Sequence, residues 1–130
     1  MRNVTSLVAI VDDEESVRKA LKRLLRAAGL EAESYATGQE FLEQAATREP
    51  DCVVLDLHMP VMSGSQLLAE IRKMPRRPPV VVITAHDVPE KRDECLAAGA
   101  CAYLRKPLED RLLLNAISAA LRSGITGARR

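Results

Sequence analysis

Polar residues with chemical potential stand where short apolar runs end. Asp12 and Asp13 follow Leu7–Val11, Asp56 sits near the end of Cys52–Leu57, Thr84 closes Val80–Thr84, and Lys106 follows Ala102–Leu104. Three carboxylates gathered at one point repel one another, and their pKa values rise unless a counter-charge enters. A hard divalent cation resolves the conflict. Magnesium favours oxygen ligands in octahedral geometry, with one or two carboxylates, waters and a phosphate group. A lysine and a hydroxyl beside it suit the other oxygens of a phosphoryl group. If one fold brings these side chains together, the chemistry is magnesium-assisted phosphoryl handling.

The elements that must position them are legible from periodicity. Five short apolar runs recur: Leu7–Val11, Ala32–Tyr35, Cys52–Leu57, Val80–Thr84 and Ala102–Leu104. The first, third and fourth are continuously apolar, as strands buried on both faces of a parallel sheet are. The second is weaker and reads as an edge. Helical patterns lie between them. Val17, Ala20, Leu21, Leu24, Leu25 and Ala28 share one face before Gly29. Thr37 and Glu40 fit a capping box ahead of Phe41, Leu42 and Ala45. Leu67, Leu68 and Ile71 follow Gly64, and Asp87-Val88-Pro89-Glu90 opens a helix that stops at Gly99. Leu113, Ala116, Ile117, Ala120 and Leu121 mark the last helix. Five strand–helix alternations predict a parallel sheet with helices on both faces. In such a sheet ligands bind at the carboxyl ends of the strands, where the acids, threonine and lysine all emerge.

Composition sets the limits. The 130 residues are 47% hydrophobic and 28% charged, but only 2% aromatic, so the expected core is aliphatic. A formal net charge of +1 gives no electrostatic case for nucleic acid or a membrane surface as direct partner. Cys52, Cys95 and Cys101 form no C-x-x-C and read as small buried apolar residues. No run approaches the ~20 apolar residues of a membrane helix, and the first residues show no signal-peptide pattern. The expected location is the cytoplasm. The basic stretch Arg72-Lys73-Met74-Pro75-Arg76-Arg77-Pro78-Pro79 reads as a solvated loop far from the acids. Ser123 to Arg130 reads as a flexible tail or the start of a linker, which puts the domain at 1–122 and the tail at 123–130.

Asp12-Asp13, Asp56 within V-V-L-D-L-H-M-P, Gly64, Thr84-Ala85, Tyr103 and Lys106-Pro107 resemble, in this order and spacing, the receiver domain of bacterial response regulators. The resemblance covers roughly residues 6–122. It implies a flavodoxin-like (βα)5 doubly wound fold with strand order 2-1-3-4-5. It also implies a signalling switch rather than an enzyme in its own right, one that catalyses only its own phosphorylation and slow autodephosphorylation. Asp56 resembles the acceptor that takes a phosphoryl group from the phosphohistidine of a sensor histidine kinase or phosphotransfer protein. Asp13, Asp56 and the His58 backbone carbonyl resemble direct ligands of Mg2+, with Mn2+ as a substitute, and Asp12 acts chiefly through metal-bound water. Lys106, Thr84 and the Ala85 amide resemble phosphoryl contacts, Tyr103 the aromatic that turns inward with the threonine, and Lys106–Pro107 a cis peptide. The implied output face holds Lys91, Arg92, Glu94, Arg105, Asp110 and Arg111. The implied partners are the kinase, a phosphorylation-dependent homodimer and a transcriptional output domain, with no direct nucleic-acid contact by this domain.

Simpler readings explain single residues but not the set. Asp12-Asp13 alone would suit a helix start, Thr84 a plain β-branched strand position, and Tyr103 core filling. Asp56 inside an apolar run is costly unless paired. An aspartate-nucleophile phosphohydrolase would want a second acid two residues after Asp56, where His58 stands. A flavodoxin-like cofactor site would want a phosphate-cradling loop where Asp12-Asp13-Glu14-Glu15 stands, which repels phosphate without a metal. A phosphorylation-independent interaction module leaves the acids, threonine and lysine unexplained. A stand-alone receiver, working by protein contact or phosphorelay, is the alternative for output. His58 and His86 each follow a site residue by two. They are expected to face the entrance, to tune hydrolysis and to make it pH-sensitive; a transition-metal site built from them is disfavoured.

Overall fold

The computed structural model describes residues 5–128. Strands and helices alternate: β1 (Leu7–Val11), α1 (Glu15–Ala27), β2 (Glu31–Tyr35), α2 (Gly38–Ala45), β3 (Cys52–Asp56), α3 (Gly64–Arg72), β4 (Val80–Thr84), α4 (Pro89–Ala97), β5 (Ala102–Arg105) and α5 (Asp110–Ala128). All strand pairs are parallel, in the order β2-β1-β3-β4-β5. This is the doubly wound, flavodoxin-like sheet that the alternation and the resemblance predict.

Every residue of β1, β3 and β4 is buried, which is why these runs carry no polar alternation. The period of two instead sorts their side chains between two cores. Ala9, Val11, Val53, Leu55, Val80 and Val82 face Phe41, Leu67, Leu68, Ile71 and Cys95 of α2, α3 and α4. Val8, Ile10, Val54, Val81 and Ile83 face Leu21 and Leu25 of α1 and Leu113, Ile117 and Ala120 of α5. The second strand is an edge, as its weaker pattern predicts. Arg48 pairs with both Glu31 and Glu33 on it, and charged side chains on an edge discourage pairing with another chain.

Local chemistry fixes the helix ends. The Thr37 side chain accepts from the Glu40 amide at 3.0 Å. The Glu40 carboxylate reaches one residue beyond the standard box, accepting from the Ala36 amide at 3.0 Å. A complete capping box forms at α3 between Ser63 and Gln66. Gly29 and Gly99, at φ 89° and 105°, take the left-handed conformation that ends α1 and α4. The expected boundary between domain and tail or linker, after residue 122, falls inside α5. The backbone of α5 continues as helix to Ala128, because Gly124 and Gly127 lower helix propensity without removing a hydrogen-bond donor, as proline would. Residues 129–130 of the expected tail lie outside the described residues.

Candidate functional site

Register builds the acidic centre. Val11 of β1 pairs with Leu55 of β3, so the next residues, Asp12 and Asp56, emerge side by side at the carboxyl edge. Asp12 is fully buried, Asp56 is 3% exposed, and Asp13 is exposed. Carboxylate oxygens of Asp12, Asp13 and Asp56 all lie within 4.8 Å of one another. Thr84 of β4 pairs with Arg105 of β5, and the Lys106 amide donates to the Thr84 carbonyl at 2.8 Å. That bond carries Lys106 over the sheet edge. Its ammonium lies 2.9 Å from Asp12 Oδ2, 3.3 Å from Glu14 Oε1 and 3.7 Å from Asp56 Oδ1. The Lys106–Pro107 peptide is cis.

The loops complete the frame. The Glu14 amide donates to Asp12 Oδ1 at 2.9 Å, and the Arg18 guanidinium donates to the Asp12 carbonyl at 2.8 Å. The His58 amide approaches Asp56 Oδ1 at 3.4 Å. The His58 and His86 rings are both exposed and meet edge to face, with centroids 4.6 Å apart. The sequence placed each two residues beyond a site residue, and the fold brings them together at the rim. Thr84 is fully buried, and its hydroxyl is engaged within its own loop. It accepts from the His86 amide at 3.0 Å and donates to the His86 carbonyl at 3.2 Å. Ala85 is exposed beside it. Tyr103 is half-buried, and its hydroxyl is sealed from solvent beside the Val88 backbone and Asp87, without a well-formed hydrogen bond. The acids and the lysine therefore form one contact cluster, while Thr84 and Tyr103 stand next to it, outside its hydrogen bonds. Lys91, Arg92, Glu94, Arg105, Asp110 and Arg111 are all exposed.

Electrostatics follow from this packing. Burial, and then the neighbouring Asp12, push the Asp56 carboxyl from 3.8 up to about 6, against the pull of Lys106 and the His58 amide. Burial would lower the Lys106 ammonium, but hydrogen bonding and charge from Asp12, with Asp56 and Glu14, outweigh it and raise its pKa. Partial burial, the adjacent His86 and the cations Lys91 and Lys106 lower the His58 imidazole. A carboxylate trio of hard oxygen donors, one member of which resists ionisation, fits a magnesium-sized cation. Asp12, Asp13 and Asp56 would hold it.

Glu14 and Arg18 escaped the sequence reading as partners of Lys106 and Asp12. The signal for Glu14 was its place directly after the acid pair. Arg18 had none, because a charged residue on the outer face of a helix is ordinary.

The sheet, the acid trio and the lysine define an α/β domain with a metal- and phosphoryl-compatible strand edge. The chain belongs to the response regulator receiver domain family, which matches residues 8–118. It is 32% identical over 123 residues to the response regulator protein TodT of Pseudomonas putida, covering 94% of this chain and 54% of that protein. It is 37% identical to the transcriptional regulatory protein PrrA of Mycobacterium tuberculosis over 115 residues, covering 88% of this chain and 49% of that one. The chain thus spans about half the length of these curated relatives. Among solved structures, the chemotaxis protein CheY4 of Vibrio cholerae superposes with a TM-score of 0.84 at 33% identity, over 91% of this chain and 100% of that one. Among the described residues, no helix is long and apolar enough to cross a membrane.

Proposed function

We propose that this receiver domain is a phosphorylation switch in the cytoplasm whose acceptor is Asp56. The observation that carries the reading is the convergence of Lys106 on both Asp12 and Asp56, at 2.9 and 3.7 Å, from three separate strand ends. In the proposed reaction an Asp56 oxygen forms a bond to phosphorus as the bond from phosphorus to a histidine nitrogen of a sensor kinase or phosphotransfer protein breaks. The product is an acyl phosphate, which water later cleaves. Asp13, Asp56 and the His58 carbonyl would hold Mg2+, or Mn2+ in its place, with Asp12 acting through bound water, and the cation would offset charge on the transferring oxygens. Lys106 supplies the second counter-charge. Thr84 and the Ala85 amide take the remaining oxygens once the Thr84 hydroxyl leaves the His86 carbonyl, and Tyr103 moves with it. In this reading the domain is a signalling unit that catalyses only its own phosphorylation and slow dephosphorylation. The receiver unit is taken as 1–122, with 123–130 leading away from it.

Incubation with acetyl phosphate and Mg2+, followed by intact mass measurement, tests the reading. One phosphoryl group is expected per chain; its absence across pH and donor concentration rejects the proposal. The exposed face around Lys91, Arg92, Glu94, Arg105, Asp110 and Arg111 is the proposed exit of the signal, toward a homodimer or an output domain. The name of PrrA supports a transcriptional output. Exposed Val88, Leu96 and Leu112 give that face apolar contact area. Sedimentation with beryllofluoride and Mg2+ is expected to show a heavier species than without; equal masses and unchanged spectra from this face refute the exit assigned to it.

The paired rings of His58 and His86 flank the route by which water reaches Asp56. Replacing either by Ala is expected to change the hydrolysis rate of the acyl phosphate several-fold and to alter its dependence on pH. Rates equal to the parent at every pH would remove both residues from the site.

A further inference from the structure

The Lys106 ammonium has three N–H donors and three carboxylates in reach, of which the acceptor Asp56 is the most distant, at 3.7 Å. The nearer two are Asp12 and Glu14, at 2.9 and 3.3 Å. Glu14 stands at the rim, its side chain 60% exposed. It occupies the N-cap position of α1, yet its side chain makes no capping bond. Glutamate is a poor cap compared with Ser, Thr, Asp or Asn, so the carboxylate is free to reach elsewhere. Its own amide is tied to Asp12 Oδ1 at 2.9 Å, which fixes the backbone from which it reaches Lys106.

We infer that Glu14 is a positioning residue that holds the Lys106 ammonium off Asp56 in the resting domain and thereby slows phosphoryl acceptance. The inference rests on Asp56 being the acceptor. A cation held by the acid trio weakens the grip of Asp12 on Lys106, because the carboxylate is then shared. Glu14, outside the trio, keeps its hold. As charge gathers on the oxygens of the transferring group, Lys106 must exchange Glu14 for one of them, and the lost ion pair adds to the barrier. A half-exposed pair of this kind is worth roughly threefold in rate.

The test compares Glu14→Gln and Glu14→Asp with the parent chain at saturating Mg2+ and moderate ionic strength, with acetyl phosphate as donor. Aspartate keeps the charge but is one methylene too short to keep the contact. Both variants are expected to raise the maximal rate constant about threefold, with a melting temperature lower by no more than a few degrees and no phosphorylation when combined with Asp56→Asn. Glu14→Asp behaving as the parent while Glu14→Gln is faster would show that general charge, not the ion pair, matters, and overturns the inference. So does an increase confined to the half-saturating donor concentration, or no increase in either variant. If the parent itself gains no phosphoryl group, the acceptor reading fails and takes this inference with it; a phosphorylated parent with unaccelerated variants removes the inference alone.

Discussion

Asp56→Asn is expected to abolish the acetyl-phosphate-dependent mass gain and, in the same protein, to raise stability at neutral pH when no divalent metal is present. The first effect is loss of the nucleophile. The second comes from what the fold imposes on Asp56. Its carboxyl is raised from 3.8 to about 6 by burial and by Asp12, so between about pH 4 and 6 the folded state binds more protons than the unfolded state. Stability then falls as pH rises through that window and stays lower above it. A neutral amide carries no such penalty. Water at the strand edge screens part of that penalty, so about 1–2 kcal/mol of gain at pH 7 is expected, equivalent to a melting temperature roughly 3–8 °C higher. Below about pH 4 parent and variant should converge, apart from the small difference in packing. Adding Mg2+ should stabilise the parent and narrow the gap, since ligand binding to the folded state adds stability. Thermal melts in EDTA and in Mg2+ from pH 4 to 8 decide it. A variant less stable than the parent at pH 7 in EDTA would show that Asp56 is not under the strain described.

The same balance explains how much of the site was legible in the sequence. Strand order was implied by the resemblance, whereas strand ends follow from apolar runs, and runs survive translation into structure because burial on both faces admits few alternatives. The sequence therefore placed Asp12 and Asp56 on one sheet edge, and the register of Val11 with Leu55 sets them side by side. Side-chain choices among near-equal partners were not legible. Lys106 could reach any of three acids, and its preference for Asp12 and Glu14 depends on ångström-scale geometry. Thr84 could bond a ligand or its own loop, and in the domain as it stands it bonds His86. The capping pair Ser63 and Gln66 carried a readable signal, three residues apart ahead of an apolar run. The length of α5 was not legible, because two glycines weaken a helix without forbidding it.

Gly64 was marked in the sequence as the residue ahead of a helical run and by resemblance, and the structure supplies its physical reason. It is the first residue of α3 and its amide donates to the Leu57 carbonyl at 2.9 Å. A Cβ there would lie 2.4 Å from the Asp56 carbonyl oxygen and 2.5 Å from Leu57 Cα. Both are backbone atoms, so no rotamer change relieves the clash, and the helix start must move off the strand end that carries Asp56. Helix propensity alone argues the other way, since alanine is better than glycine by about 1 kcal/mol within a helix. The contact should win: Gly64→Ala is expected to lose about 3 kcal/mol and to slow phosphorylation at least ~10-fold, because a displacement near 1 Å suffices for such a loss. Gly38 is the internal control. It occupies the same first position of α2, and its nearest obstacle is the flexible Met62 sulfur at 2.7 Å. Gly38→Ala should therefore change stability by less than about 1 kcal/mol and leave phosphorylation unaltered. Urea unfolding of the two variants separates the causes. Equal losses would mean that glycine serves only the helix start; a large loss at 64 alone means that the close approach of α3 to the end of β3 is what holds the acceptor in place.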